Sequence, residues 1–285
     1  MKATEINIRD PFVLVHGKKY YMYGTRATTT WGGIDKKQLG FDVYISDDLE
    51  NWSEPKAIFE SFDGFWGVTQ YWAPEVHYYK GKFYLFATFK GENIHRGTAI
   101  LVCDTPDGRF VEHSDGAVTP RDWECLDGTL YVEDGTPYIV FCHEWTQIKN
   151  GTVCALQLTP DLKKPVGEPI HLWSAYDPVW RYDIRDGEGC YVTDGPFHIK
   201  EADGLVFMWS SFSEGEYVEA LARSDNGKIT GKFTVDEKLL YEKDGGHGMT
   251  FTDMNGNLNF IYHAPNETPN ERPCVRKITT NMFNK

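Results

Sequence analysis

The chain has 285 residues, 41% of them hydrophobic, and its 29 basic and 42 acidic side chains give a net charge of −13. That is enough apolar material for a large core, but scattered acidic charge lacks the basic face that nucleic acids and anionic lipids require, and no run of 18 apolar residues offers a membrane span. Six cysteines without a Cys-x-x-Cys pair, with Cys103, Cys142 and Cys154 inside apolar strand-like runs, are expected to be buried free thiols.

Apolar residues recur with period two or in short solid runs between Gly, Asp, Asn and Lys turns, and no amphipathic helix longer than a turn or two is visible. The first unit runs Arg9-Asp10-Pro11-Phe12-Val13-Leu14, turns at His16-Gly17-Lys18, returns through Tyr20-Tyr21-Met22-Tyr23 and adds Phe41-Asp42-Val43-Tyr44-Ile45. The second opens on Trp72-Ala73-Pro74-Glu75-Val76, turns at Lys80-Gly81-Lys82 and adds Thr98-Ala99-Ile100-Leu101-Val102. The third opens on Asp127-Gly128-Thr129-Leu130-Tyr131, turns at Asp134-Gly135 and adds Thr152-Val153-Cys154-Ala155-Leu156. The fourth opens on Asp194-Gly195-Pro196-Phe197, turns at Asp203-Gly204 and adds Val218-Glu219-Ala220-Leu221. The fifth opens on Gly246-His247-Gly248-Met249, turns at Asn255-Gly256 and adds Cys274-Val275-Arg276-Lys277-Ile278. Polar stretches such as Asp48-Leu49-Glu50-Asn51-Trp52 and Asp161-Leu162-Lys163 then supply a fourth strand or its lead-in.

Five antiparallel units of three to four strands predict an all-β, five-bladed β-propeller. No Pro/Ser linker or composition shift divides residues 1–285, which read as one domain. Residues 1–8 contain no apolar stretch of signal-peptide length, which leaves either an intracellular protein or one whose leader has been removed. In a propeller the first strand of each blade lines the axis. Asp10, Trp72, Asp127, Asp194 and His247 are therefore expected at corresponding positions around one funnel, with Arg26, His143, Glu144 and Trp145 at its rim.

Asp-Pro and Asp-Gly often open turns. Three such aspartates in register suggest more, because crowded carboxylates acquire unequal proton affinities, as a general acid and a general base require. Glycoside hydrolysis uses such a pair.

In order and spacing, Arg9-Asp10-Pro11, Trp72-Ala73-Pro74-Glu75, Asp127 with Asp134-Gly135, Asp194-Gly195-Pro196 and Gly246-His247-Gly248 resemble family 43 of the glycoside hydrolases over residues 9–263. The resemblance implies a five-bladed propeller and an inverting enzyme. Members of that family release arabinofuranose, xylose or galactose units from plant polysaccharides, or cut arabinan internally. Asp10 matches the family's general base. Asp127 matches the aspartate that orients the acid and raises its pKa. Asp194 stands where the family places its general acid, but that motif usually reads Glu-Gly-Pro. An aspartate sets its proton about 1.5 Å further back, so Glu144 is the alternative acid and Glu188 a weaker one.

The resemblance also implies that His247 is an axial histidine, which in many relatives coordinates a calcium or other ion; a neutral imidazole bonded to channel water is the other reading. No organic cofactor is expected. Trp72, the strongest sugar-stacking candidate, is joined by Trp31, Phe65, Trp66, Trp145 and Trp180, and Arg26 and Arg185 are candidates for sugar hydroxyls. The expected partner is a carbohydrate, and the expected activity is exo-release of arabinofuranosyl or xylosyl units. The alternatives are an endo-arabinanase, a galactosidase, a fructan-type hydrolase, a phosphorylase and a non-catalytic sugar-binding propeller.

Overall fold

The structure, a computed structural model, describes residues 1–31, 39–200 and 202–284. Its strands form five antiparallel sheets, each built from consecutive strands. The first holds β1 (Ile8–His16), β2 (Lys19–Arg26), β3 (Gly40–Ser46) and β4 (Lys56–Glu60). The second holds β5 (Thr69–Tyr79), β6 (Lys82–Gly91), β7 (Ile94–Cys103) and β8 (Val111–Ala117). The third holds β9 (Cys125–Glu133), β10 (Thr136–His143), β11 (Thr152–Leu158) and β12 (Pro165–Ser174). The fourth holds β13 (Asp194–His198), β14 (Val206–Ser213), β15 (Glu216–Ser224) and β16 (Phe233–Val235). The fifth has three strands among the described residues, β17 (Gly246–Thr252), β18 (Leu258–Ala264) and β19 (Arg272–Lys277). The five-bladed propeller is therefore what the sequence repeat predicts. The one α-helix among the described residues is the single turn α1 (Trp145–Ile148).

The polar stretches after each third strand are lead-ins rather than strands: Asp48 to Trp52 turns the chain before β4, and Asp161 to Lys163 does so before β12. Within the hairpins, the positive φ of Gly17 and Lys18, of Lys80 and Gly81, and of Asp134 and Gly135 matches the turn geometry that suits twisted strands. The core lies between blades and is strongly aromatic; Trp173, Trp209, Tyr20, Tyr71, Phe41, Phe86 and Phe207 are among its fully buried side chains. All six cysteines are free, four of them buried.

The ring closes where the N-terminal strand meets the fifth blade. Asn7 Nδ2 donates to the Glu271 carbonyl at 3.1 Å, and Arg272 Nε donates to the Thr4 carbonyl at 3.1 Å.

Candidate active site

Every innermost strand carries the same irregularity. Two residues face one on the second strand: Asp10 and Pro11, Ala73 and Pro74, Asp127 and Gly128, Gly195 and Pro196, His247 and Gly248. The first of each pair has positive φ, between 43° and 56°. These are β-bulges, which kink a strand and re-aim its side chains. They correct the expected alignment by one residue in two blades. Ala73 and Gly195, not Trp72 and Asp194, are the equivalents of Asp10, Asp127 and His247. Trp72 and Asp194 correspond instead to Arg9, Leu126 and Gly246, the last residues before the bulge. Both sets still reach the funnel, because the bulge turns two successive side chains toward the axis. At Gly195 a side chain is excluded by space rather than by φ, which Asp10, Ala73, Asp127 and His247 share: a Cβ would sit 2.7 Å from the His247 ring.

The backbone donors of these bulges are accounted for, as buried N–H groups must be. In four blades the first N–H is accepted by a side chain on the second strand of the preceding blade: Ala73 by Thr25 Oγ1 at 2.8 Å, Asp127 by Thr88 Oγ1 at 2.9 Å, His247 by Ser210 Oγ at 2.6 Å and Asp10 by His263 Nδ1 at 3.2 Å. In the remaining blade, Gly195 N–H goes to Asp127 Oδ2 at 3.0 Å. Where the second bulge residue is proline there is nothing further to satisfy. Where it is glycine, a third strand supplies the acceptor: Thr98 for Gly128 at 3.1 Å and Glu219 for Gly248 at 3.1 Å.

A cavity of about 700 Å³ opens above this ring and gathers most of the expected site. Asp10, Asp127, Asp194 and Glu144 line it, with Trp31, Trp72, Trp145, Arg185 and His247. Five of the other expected residues stand elsewhere. Arg26 does not line the cavity and is bound bidentately to Asp42, at 2.7 and 2.6 Å, because its strand position points it at β3. Phe65 is part of the core, and Trp66 packs against that core. Trp180 donates to the Asp236 carbonyl at 3.0 Å. Glu188 is exposed and is not among the cavity residues. Of the rim loops at 28–39, 60–71 and 173–189, residues 32–38 lie outside the described residues.

Burial alone would raise the proton affinity of Asp10, but the imidazoles of His247 and His263 whenever they are protonated, the Arg9 charge and the Thr25 hydroxyl outweigh it and hold the carboxyl below the usual range. Thr25 Oγ1 donates to Oδ2 at 2.6 Å, and Arg9 Nε lies 3.3 Å from Oδ1. His263 is neutral at pH 7, held down to about 3 by burial and by Arg9. Its Nδ1 accepts the Asp10 N–H. His247, likewise lowered by burial, places Nδ1 between two carboxyls, 3.2 Å from Asp10 and 3.8 Å from Asp127.

Asp127 moves the other way. Burial and the charges of Asp194 and Asp10 raise it well above the ordinary value, and the Gly195 N–H opposes them. Asp194 is pushed up to about 7 by burial and by the Glu144 carboxylate, against the Tyr217 hydroxyl and Arg9. Tyr217 Oη is 3.0 Å from Asp194 Oδ2. Glu144 is engaged as an ion: Arg96 Nη1 lies 2.8 Å from its Oε2, and the Thr146 hydroxyl donates to the same oxygen. One cavity therefore holds an ionised carboxylate and a carboxyl that is half protonated near neutrality, which is the arrangement acid–base hydrolysis needs.

The model of "Glycosyl hydrolases family 43" matches residues 4–283. The chain belongs to this family. An endo-arabinase from Bacteroides thetaiotaomicron VPI-5482 has a similar structure, with TM-score 0.89 and 37% identity, covering 98% of this chain and 96% of that one. An extracellular endo-alpha-(1->5)-L-arabinanase 1 from Bacillus subtilis (strain 168) is 26% identical over 176 residues, 58% of this chain and 50% of that protein. Alpha-L-arabinofuranosidase 43 from Humicola insolens is 23% identical over 240 residues, 74% of this chain and 48% of that protein. The chain spans about half the length of the curated relatives it matches.

Several cavity residues of this family 43 chain carried no signal in the sequence. Arg96 lies 4.7 Å from the Trp72 ring centroid and binds Gln70 at 2.8 Å, yet nothing near it in sequence marks it. Tyr217, Asn266 and Thr268 reach the cavity from a third strand and a loop. Arg9 was legible through its neighbour Asp10; it is shared among Asp10, Glu271 at 3.3 Å and Asn266 at 3.2 Å. Among the described residues, no group of three or more His, Cys, Asp or Glu is placed to hold a metal ion. His247, with one nitrogen on Asp10, does not by itself make an ion site.

Proposed function

We propose that this family 43 chain is an inverting glycosidase that cleaves α-L-arabinofuranosyl linkages within arabinan. Asp10, as carboxylate, takes a proton from the water that attacks the anomeric carbon. Asp194, as acid, gives its proton to the leaving oxygen. Each turnover leaves Asp10 protonated and Asp194 ionised, and exchange with solvent restores both. Asp127 lies against both through His247 and Gly195 and adjusts how they share protons. Trp31, Trp72 and Trp145 line the cavity and supply apolar wall against which the C–H groups of furanose rings can pack.

The observation that carries this reading is the unlike state of Asp10 and Asp194 in one aromatic-walled cavity. A sugar-binding propeller gains nothing from a carboxyl poised near pH 7. The arginines at the cavity already face partners: Arg9 faces Asp10 and Glu271, Arg96 faces Glu144, and Arg185 covers Trp145 at 5.0 Å. This favours water over phosphate as the acceptor. Arabinan as substrate is supported by the names of the relatives above. Internal cleavage is supported by the endo-acting pair among them and by a cavity larger than one pentosyl unit fills.

The test is hydrolysis of linear α-1,5-arabinan, with xylan and nitrophenyl arabinofuranoside and xyloside alongside. Oligosaccharide products from arabinan are expected, with Asp10→Asn lowering kcat by about 10³-fold or more, the upper part of the range for a lost general base. Release of arabinose alone, a preference for xylan, or an unimpaired Asp10→Asn enzyme would each overturn the proposal.

A further inference from the structure

The four side chains that accept the bulge N–H groups, Thr25, Thr88, Ser210 and His263, occupy one position in the repeat. Each pairs with the residue just before the bulge of its own blade: Thr25 with Arg9, Thr88 with Trp72, Ser210 with Asp194, His263 with Gly246. In the third blade that position, opposite Leu126, is Cys142. Cys142 is fully buried. Its thiol is pushed well up by burial, Asp127 and Asp194, so it sits beside the two carboxyls as a neutral group. A thiol is a weak acceptor. In this blade alone the neighbour's bulge N–H, that of Gly195, turns to a carboxylate, Asp127 Oδ2.

We propose that Cys142 is a positioning residue: by withholding a hydroxyl from the Gly195 N–H it leaves that donor to Asp127, and so ties Asp127 to the strand that carries Asp194. The inference rests on the catalytic reading of Asp127 and Asp194. Two neighbouring carboxyls that share a proton put their charge where fixed donors point. A backbone N–H can only donate, so it favours charge on Asp127. The Tyr217 hydroxyl on Asp194 can either donate or accept, so it tolerates a proton there. The N–H thus works against the rise that burial and Asp194 impose on Asp127, and so eases the shared proton toward Asp194, the residue that faces the leaving group.

Two substitutions separate this from a packing role. Cys142→Ala removes the thiol and adds no acceptor, whereas Cys142→Ser adds the hydroxyl found in the other blades. With arabinan as substrate, C142A is expected within about twofold of wild-type kcat. C142S is expected to lose about tenfold in kcat, the effect of moving the shared proton by one pKa unit, with KM little changed. Should C142S melt far below the wild type, Cys142→Thr supplies the same hydroxyl with the missing volume. A crystal structure of the serine or threonine variant is expected to show Gly195 N–H on the new hydroxyl and Asp127 released.

Equal kcat for the alanine and serine variants, or Gly195 still bound to Asp127 beside the new hydroxyl, overturns the proposal. Asp127→Asn serves as the control for the underlying reading: an unchanged kcat there would remove the catalytic role of Asp127, while the crystal structure would still decide which atom Gly195 binds.

Discussion

Asp194 and Glu144 both stand at the cavity, and their surroundings separate their chemistry. Glu144 is locked in an ion pair with the Arg96 guanidinium, itself spread over Trp72 and held by Gln70. Asp194 has the Tyr217 phenol as a close partner and is pushed up to about 7. The two assignments give different kinetics. A lost general acid slows substrates with poor leaving groups and spares those with good ones. Asp194→Asn is therefore expected to lower kcat on arabinan by about 10²–10⁴-fold while retaining most activity on an aryl arabinofuranoside with a dinitrophenyl leaving group. Glu144→Gln is expected to weaken KM and to show no such split. A leaving-group split in the Glu144 variant, and not in the Asp194 variant, would reverse the assignment.

At the scale of the strand, the bulge is the element that makes the site. The kink it puts in the strand turns successive side chains toward the axis, which explains why Arg9 and Asp10, and Leu126 and Asp127, serve one cavity from adjacent positions. The repeat itself was legible because hairpin turns and opening residues leave marks in sequence: Asn-Gly, Asp-Gly, Asp-Pro, Gly-Pro. The one-residue misalignment of Trp72 and Asp194 arose because a bulge has no residue type of its own. Aspartate, alanine, glycine and histidine all occupy its first position here. Arg96, Tyr217 and Asn266 stayed hidden for a related reason. They enter from third strands and loops, whose approach depends on blade-to-blade packing rather than on local pattern.

The bulge also makes a measurable demand. Ser210 accepts the His247 N–H and donates to Glu219 Oε2 at 2.7 Å. Ser210→Ala would leave a buried donor and a buried carboxyl short of a partner. A loss of about 1–3 kcal/mol is expected in denaturant unfolding, along with lower kcat as His247 shifts against Asp10. No change in either measurement would mean that water replaces the hydroxyl.

Across the whole ring, the buried ionisable groups tie stability to pH in opposite directions. Glu219 is fully buried and raised to about 8, by burial first and by Asp194, against Ser210 and the Gly248 N–H. Its unfolded value is 4.5, so between these limits the folded chain holds a proton that the unfolded chain has released. That contribution is complete below pH 4.5 and is lost as pH rises through 8, at about 1.4 kcal/mol per pH unit. His263 acts oppositely: its contribution is complete above 6.5 and is lost as pH falls toward 3. Glu219→Gln keeps an acceptor for Ser210 and Gly248 without the titration. Its stability relative to wild type is expected to rise by roughly 2–3 kcal/mol between pH 6 and pH 8 in urea unfolding, and a pH-independent difference would remove Glu219 from this role. The chain of donors and acceptors has an evolutionary corollary as well. Since each blade finishes the backbone of the next one round, a blade is not a free-standing cassette. Shuffling one alone would strand a donor on one side and an acceptor on the other, so new specificities in this architecture should arise by changing loops around an inherited inner ring rather than by exchanging whole blades.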